Sequence, residues 1–228
     1  MTSLLEKIRS RGYWRVIIRP CKFAQSRIPQ IPTLYPLIQT NSVRAQFREF
    51  PVLDPQTHPH IDLNWVGQEL EWEYIIEAWR FYQSGQFAHY SGIKDDWRDQ
   101  SSFWPADQHW KSGVFLEIQD TVRRFTEIFE FASRLALTEA GDEKIHLEVM
   151  VSGLQDRILS LDSSGSSRRM TIGQMLRSSR ASIKEFPYTI EVPRAELIAS
   201  PKELALKPTR ELFQRFGWNP EIEFLRSL

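Results

Sequence analysis

The stretch Ser112–Val151, SGVFLEIQDTVRRFTEIFEFASRLALTEAGDEKIHLEVMV, decides the fold because its hydrophobic period changes once along its length. In the first part, apolar residues recur in steps of three and four, which is the spacing of one helix face. These residues are Phe115, Ile118, Val122, Phe125, Phe129, Ala132 and Ala136. After Gly141 the period becomes two, as expected for a strand with one buried side. The stretch therefore predicts a helix over Ser112–Leu137 that leads into a β-strand.

Segments rich in β-branched and aromatic residues lie on both sides of this helix and predict further strands. They are Tyr13–Arg19, Val43–Leu53, Phe87–Ile93, Gln155–Leu161 and Phe186–Val192. The C-terminal segment Pro201–Phe216 has a helical pattern. Helices and strands do not alternate regularly, so a doubly wound parallel sheet is not favoured. We expect one α+β domain over residues 1–228, with a mixed or antiparallel sheet packed on a long central helix.

The segment Leu70–Gln83 fits two patterns. Leu70, Trp72 and Tyr74 alternate with glutamates, which is typical of a strand, whereas Trp72 to Tyr82 also places its large apolar residues on one helical face. The helical pattern covers more residues. It therefore predicts a helix over Trp72–Gln83, with Glu69, Glu73 and Glu77 on its solvated side.

Composition and charge exclude several classes of protein. The 228 residues hold 29 Lys+Arg and 29 Asp+Glu, and this zero net charge argues against nucleic-acid binding by the whole surface. The single cysteine, Cys21, cannot form an internal disulfide or a cysteine-based zinc site, which favours a reducing, cytoplasmic location. No run reaches the roughly 18 apolar residues of a membrane helix, so no membrane contact is expected.

Aromatic residues are concentrated in the middle of the chain. Six of the eight tryptophans lie there, at Trp65, Trp72, Trp79, Trp97, Trp104 and Trp110. Aromatic side chains dominate both protein cores and interfaces. The concentration therefore predicts either the anchor of the core or an interaction surface, and the sequence leaves both alternatives open.

The segment Ser163–Lys184, SSGSSRRMTIGQMLRSSRASIK, has a composition unlike that of the rest of the chain. It is rich in serine, contains no acidic residue, and carries five positive charges at Arg168, Arg169, Arg177, Arg180 and Lys184. One interpretation is a solvated loop between strands. The other is an anion-binding loop that contacts the phosphates of nucleic acid.

Candidate catalytic residues are few. His58, His60 and Asp62 alternate in the segment HPHID, so an extended backbone would direct all three to one side, as a metal site requires. The alternative is a turn whose imidazoles bond to the backbone. The chain has no G-x-x-x-x-G-K-[ST], G-x-G-x-x-G or G-x-S-x-G motif, so no cofactor is expected and catalysis is not favoured.

Two segments carry a resemblance to other proteins. Arg11–Pro20, RGYWRVIIRP, and Trp79–Trp97, WRFYQSGQFAHYSGIKDDW, resemble segments of an uncharacterised group of bacterial proteins. That group has no known activity, so the resemblance implies neither a function nor any site residue.

Together these features favour a non-enzymatic binding protein. The aromatic residues predict a protein partner or self-association, because interface cores are enriched in Trp, Tyr, Phe and Arg. An accessory subunit of a bacterial nucleic-acid-directed or defence complex fits this description. Two alternatives remain: a metal-dependent hydrolase or nuclease that uses His58, His60 and Asp62, and a small-molecule sensor with an aromatic pocket.

Overall fold

A seven-stranded antiparallel sheet lies at the centre of the fold, in the order β11-β9-β1-β7-β6-β5-β4. The computed structural model describes residues 3–45, 48–100, 111–160 and 180–228. In chain order the strands are β1 (Tyr13–Pro20), β2 (Val43–Ala45), β3 (Arg48–Phe50), β4 (His60–Ile61), β5 (Trp65–Trp72), β6 (Ile75–Tyr82), β7 (Phe87–Gly92), β8 (Phe115–Glu117), β9 (Lys144–Ser152), β10 (Ile158–Ser160) and β11 (Glu185–Pro193). β2 pairs with β3, and β8 pairs with β10 in parallel.

The helices other than α1 cover one face of this sheet, which we call the inner face. The helices are α1 (Leu4–Arg9), α2 (Leu34–Asn41), α3 (Ile118–Ala136), α4 (Arg194–Ala199), α5 (Pro201–Gln214) and α6 (Ile222–Arg226), with 3-10 helices at Ile31–Thr33 and Lys94–Gln100. The long helix α3 packs on the inner face, where Phe125 meets Trp14 of β1 edge-on at 5.2 Å and Phe131 meets Phe87 of β7 at 4.8 Å. Every helix in the described ranges is too short or too polar to cross a lipid bilayer.

The predicted α+β class and the central helix are both confirmed. Ile118, Val122, Phe125 and Phe129 are buried along α3, as their spacing predicts. The predicted start at Ser112 is wrong, because Phe115 belongs to strand β8 and the helix begins at Ile118. Glu117 ends the extended segment and caps the helix, since its Oε2 accepts a hydrogen bond from the Asp120 backbone N–H at 3.0 Å.

The predicted helix over Trp72–Gln83 is also wrong. This segment forms the hairpin β5–β6, which turns at Glu73 with a φ of 51°. β6 is an interior strand whose two faces are both partly covered, so Ile76 is buried on one side and Trp79 on the other. Apolar residues on both sides of a strand interrupt the period of two and imitate a helical face.

The opposite face of the sheet, the outer face, is covered only in part. Helix α1 begins with a capping box at Ser3 and Glu6 and places Ile8 against Ile76 of β6 and Trp97 of the second 3-10 helix. Beyond this small cluster, the outer side chains of β5, β6 and β7 line an open groove.

Candidate functional site

The groove on the outer face has a volume of about 600 Å³. Leu5 of α1 forms one wall, and Thr57, His58 and His60 form the opposite wall. The floor consists of outward-facing side chains of the three antiparallel strands β5, β6 and β7. They are Trp65, Gly67, Glu69, Ala78, Arg80, Tyr82, Ala88 and Tyr90.

Strand register places a single arginine among small residues in this floor. Arg80 lies opposite Gly67 of β5 and opposite Ala88 of β7. Gly67 is required where it stands, because a Cβ atom there would lie 2.2 Å from the Trp79 carbonyl oxygen. Because Gly67 has no side chain and Ala88 has only a methyl group, the Arg80 side chain extends beyond both of its cross-strand neighbours.

An aromatic ring holds the Arg80 guanidinium. Its Cζ lies 4.4 Å from the ring centroid of Trp65, within the range of a cation–π interaction. The imidazole of His60 contacts the same indole, with centroids 4.9 Å apart and planes at 30°. Arg80 is exposed, and among the described residues no carboxylate lies within ion-pair distance of it. Its N–H donors therefore face the solvent in the groove.

A second cation lies at the α1 side of the groove. Arg9 Nη2 donates to the hydroxyl of Tyr90 at 3.1 Å, and its guanidinium lies 5.0 Å from the centroid of that ring. The neighbouring Lys7 is paired with Glu71. Glu69 is an exposed acid in the floor, two residues from Glu71 along β5.

One buried side chain anchors the wall that carries the histidines. Gln68 is only 4% exposed, and its Nε2 donates to the carbonyl oxygens of Asp54 at 3.0 Å and of Thr57 at 2.7 Å. Its Oε1 accepts a hydrogen bond from the Asp54 backbone N–H at 3.3 Å. These three bonds tie the irregular segment before β4 to the sheet and so define that side of the groove.

The structure brings together two of the three residues in the predicted metal site. His58 and His60 both lie at the groove wall. Asp62 instead closes the turn between β4 and β5, where its Oδ1 accepts from the Leu63 N–H at 2.7 Å. Within the ranges that the structure describes, no group of three or more His, Cys, Asp or Glu is arranged to hold a metal ion.

The basic segment is described only at its end. Arg168, Arg169 and Arg177 lie outside the described residues. Arg180 is exposed, and its Nη1 donates to the carbonyl oxygen of Asp156 at 3.0 Å. Lys184 is also exposed, and it lies directly before β11. An anion-binding role for this segment stays a prediction.

The concentrated tryptophans have different environments. Trp79 and Trp97 are buried in the core, at 2% and 1% exposure. Trp65 lines the groove, and Trp72 is 59% exposed at the hairpin turn. Trp104 and Trp110 lie outside the described residues. The core interpretation is thus confirmed for Trp79 and Trp97, and an interaction surface at the other tryptophans stays a prediction.

Charged residues are buried beneath the groove, on the inner side of the same strands. Glu77 of β6 and His89 of β7 are fully buried, with 3.5 Å between Glu77 Oε1 and His89 Nε2. Burial alone would raise the pKa of Glu77, but His89, Arg124 and the Val52 N–H lower it below its ordinary value. Glu77 is thus a buried charge, and its predicted place on a solvated face is wrong.

Two acids near the start of α3 have raised pKa values. The pKa of Asp95 is raised to about 6 and that of Glu117 to about 7, mainly by burial and in part by the charge of Asp120. Asp95 Oδ1 forms an ion pair with Arg98 Nη2 at a distance of 2.8 Å. Neither Asp95 nor Glu117 lines the groove.

Sequence reasoning missed Arg80 and the small residues of the floor. Arg80 lies in a segment that the aromatic spacing assigns to a helix, so the cross-strand neighbours Gly67 and Ala88 could not be recognised. The signal that identifies them is the alternation of Ala78, Arg80 and Tyr82, which becomes visible once β6 is taken as a strand. Comparison with protein-family models, with curated proteins and with solved structures found no match.

Proposed function

We propose that this protein is a binding protein whose ligand, a small organic molecule, docks in the groove on the outer face. The observation that carries this proposal is an exposed arginine, Arg80, that meets no carboxylate within the described ranges and contacts Trp65 in a groove of about 600 Å³. Ligand sites usually have volumes of roughly 300–1,000 Å³, with aromatic walls and a few polar groups. The groove therefore supports the small-molecule interpretation of the aromatic residues.

The positions of the two acids with raised pKa values favour a protein that binds its ligand without catalysis. General acid–base catalysis uses groups whose pKa is shifted toward neutrality and which reach the substrate. Asp95 and Glu117 have such values, but both lie away from the groove. Rigid strands hold the floor, which suits a site that binds a ligand without rearranging.

A protein partner is a second candidate, favoured by exposed apolar residues at the edge of the sheet. Ile61 of β4 is 59% exposed, and Leu63 in the following turn is 88% exposed. Sedimentation velocity with the parent protein and the Leu63→Asp variant tests this candidate. A dimer that the substitution dissociates supports it, and two equally monomeric proteins contradict self-association at this edge.

A thermal-shift screen tests the proposed function. A ligand at 100 times its dissociation constant stabilises a protein by about 2.7 kcal/mol, which for a chain of this size raises the Tm by roughly 5–10 °C. We expect compounds that stabilise the parent and no longer stabilise Trp65→Ala. The matched control is Trp72→Ala, another partly exposed tryptophan of β5 that does not line the groove. Stabilisation that survives Trp65→Ala contradicts the proposal.

A further inference from the structure

We infer that the groove selects a planar aromatic ligand that carries one anionic group, a carboxylate or a phosphate. The inference rests on the proposed function, since it names the chemistry of the ligand in that same groove. It follows from three features of the floor: a guanidinium that pairs with no carboxylate in the part of the chain that the structure describes, aromatic rings beside small residues, and glutamates that oppose further negative charge.

Arg80 provides the anion site. A guanidinium presents N–H donors in a planar fork that matches the two oxygens of a carboxylate or phosphate. The guanidinium Cζ lies 4.4 Å from the Trp65 ring centroid, so a cation–π contact restrains this fork beside the indole. A fork that is already held loses less conformational entropy when the anion binds.

The surroundings of Arg80 provide space and surface for a ring. Ala78 and Ala88 project outward beside it, so a flat ligand can approach the sheet between taller aromatic neighbours. Tyr90 stands beside Ala78 across the strand pair, and Tyr82 stands opposite Trp65. Aromatic pairs prefer offset stacks or edge-on contacts, and both kinds of contact are available to a ring in this groove.

The charge of the groove favours one anionic group over many. Arg80 and Arg9 are balanced in part by Glu69, and two further cations of the outer face are paired, Lys7 with Glu71 and Arg15 with Glu148. A nucleic-acid strand laid across this face would meet these three glutamates. A small ligand whose single anionic group reaches Arg80 avoids them, so the observations favour a small ligand over a polyanion.

The test uses pairs of compounds that differ only in the anionic group. Indole-3-acetate is compared with indole-3-acetamide, and adenosine 5′-monophosphate is compared with adenosine, by isothermal titration of the full chain. The two pairs distinguish a carboxylate from a phosphate. A short oligodeoxythymidylate forms a separate arm. We expect at least one anion to bind roughly tenfold or more tightly than its neutral analogue, as a charge-assisted hydrogen bond requires.

Two variants test whether Arg80 causes the preference for an anion over its neutral analogue. Arg80→Gln should abolish the difference between the anion and its neutral analogue and leave the affinity for the neutral compound largely unchanged. Arg19→Gln is the matched control, because Arg19 also faces outward, on β1 opposite His146, but does not line the groove. It should leave the preference intact. Arg80 is exposed, so Arg80→Gln should melt at the temperature of the parent.

The possible outcomes test the inferred class of ligand and the proposed binding site separately. Neutral and anionic compounds that bind equally well, and equally to Arg80→Gln, overturn the inference but leave the groove as a binding site. An oligonucleotide that binds through Arg80 more tightly than any small anion also overturns it. If none of these compounds binds, and Trp65→Ala abolishes no stabilisation in the thermal-shift screen, the proposed function and the inference both fail.

Discussion

At the scale of single residues, the carboxylate of Asp96 joins segments that are far apart in the chain. It accepts hydrogen bonds from the backbone N–H groups of Gly12 at 2.8 Å and Gly113 at 2.9 Å. Both of its oxygens also bind the guanidinium of Arg157. Asp96 and Arg157 are each 1% exposed, so neither charge has water as a substitute partner. Gly12 must stay small, because a Cβ there would lie 2.2 Å from Arg157 Nη2.

Arg157→Met should destabilise the protein by about 3–5 kcal/mol, because removal of one partner leaves a buried charge uncompensated. Urea unfolding measures the change. The matched control is Arg226→Met, which removes an exposed arginine that is also paired through two nitrogens, with Glu203. Exposed pairs contribute about 0–1 kcal/mol, so the control should lose no more than that. Equal losses in the two variants would show that the Asp96 site is not a structural centre.

Glu117 gives the protein a dependence of stability on pH. Its pKa is raised by burial from 4.5 to about 7, so between these values the folded protein holds a proton that the unfolded chain has released. Stability should therefore fall as the pH rises through this window and level off above it. Asp95, raised from 3.8 to about 6, acts in the same direction.

Glu117→Gln should remove most of this dependence and still cap α3, because an amide oxygen can accept the Asp120 N–H. At pH 8 we expect the variant to be more stable than the parent by about 1–3 kcal/mol, since one pKa unit corresponds to about 1.4 kcal/mol. Urea unfolding at pH 5 and pH 8 measures both changes. Glu139→Gln, at an exposed acid, is the control. A parent whose stability rises between these pH values contradicts the assignment.

At the scale of elements, the sequence predicts a helix or strand whose apolar residues lie on one face. It misses a strand whose apolar residues lie on both faces. The hydrophobic period of α3 is clear in the sequence because polar residues, among them the exposed Arg123, follow one side of the helix. The period of β6 is not, because α1 covers part of its outer face and places Ile76 in a small second core. The groove residues of β6 were missed for the same reason. Which side chains meet across β5, β6 and β7 depends on strand register, and local sequence does not determine it.

Phe125→Ala tests the packing of α3 on the sheet. Phe125 is fully buried and contacts Trp14 of β1 edge-on, so its truncation should cost about 3–5 kcal/mol of unfolding free energy. Chemical denaturation gives the value. Arg123→Ala, two residues away on the exposed side of the helix, should change stability by less than about 0.5 kcal/mol. A loss below about 1 kcal/mol for Phe125→Ala would contradict the buried position.

At the scale of the whole molecule, the two faces of the central sheet are covered to different extents. The inner face packs on α3 and contains both the apolar core and the buried polar residues Glu77 and His89. The outer face is only partly covered by α1, and its part on β5, β6 and β7 forms the groove around Arg80. The residues of the proposed binding site thus lie on the face opposite the main apolar core.

NMR chemical-shift mapping locates a bound ligand on one of these faces directly. The chain has eight tryptophan indole N–H groups that can be followed together with the backbone amides. On titration with the compound that gives the largest thermal shift, we expect changes at the Trp65 indole and at the amides of Arg80 and Tyr90. The indole of Trp218, which packs between Phe213 and Phe224 away from the groove, should not move. Changes that leave Trp65 and Arg80 unaffected and cluster elsewhere would contradict a binding site on the outer face.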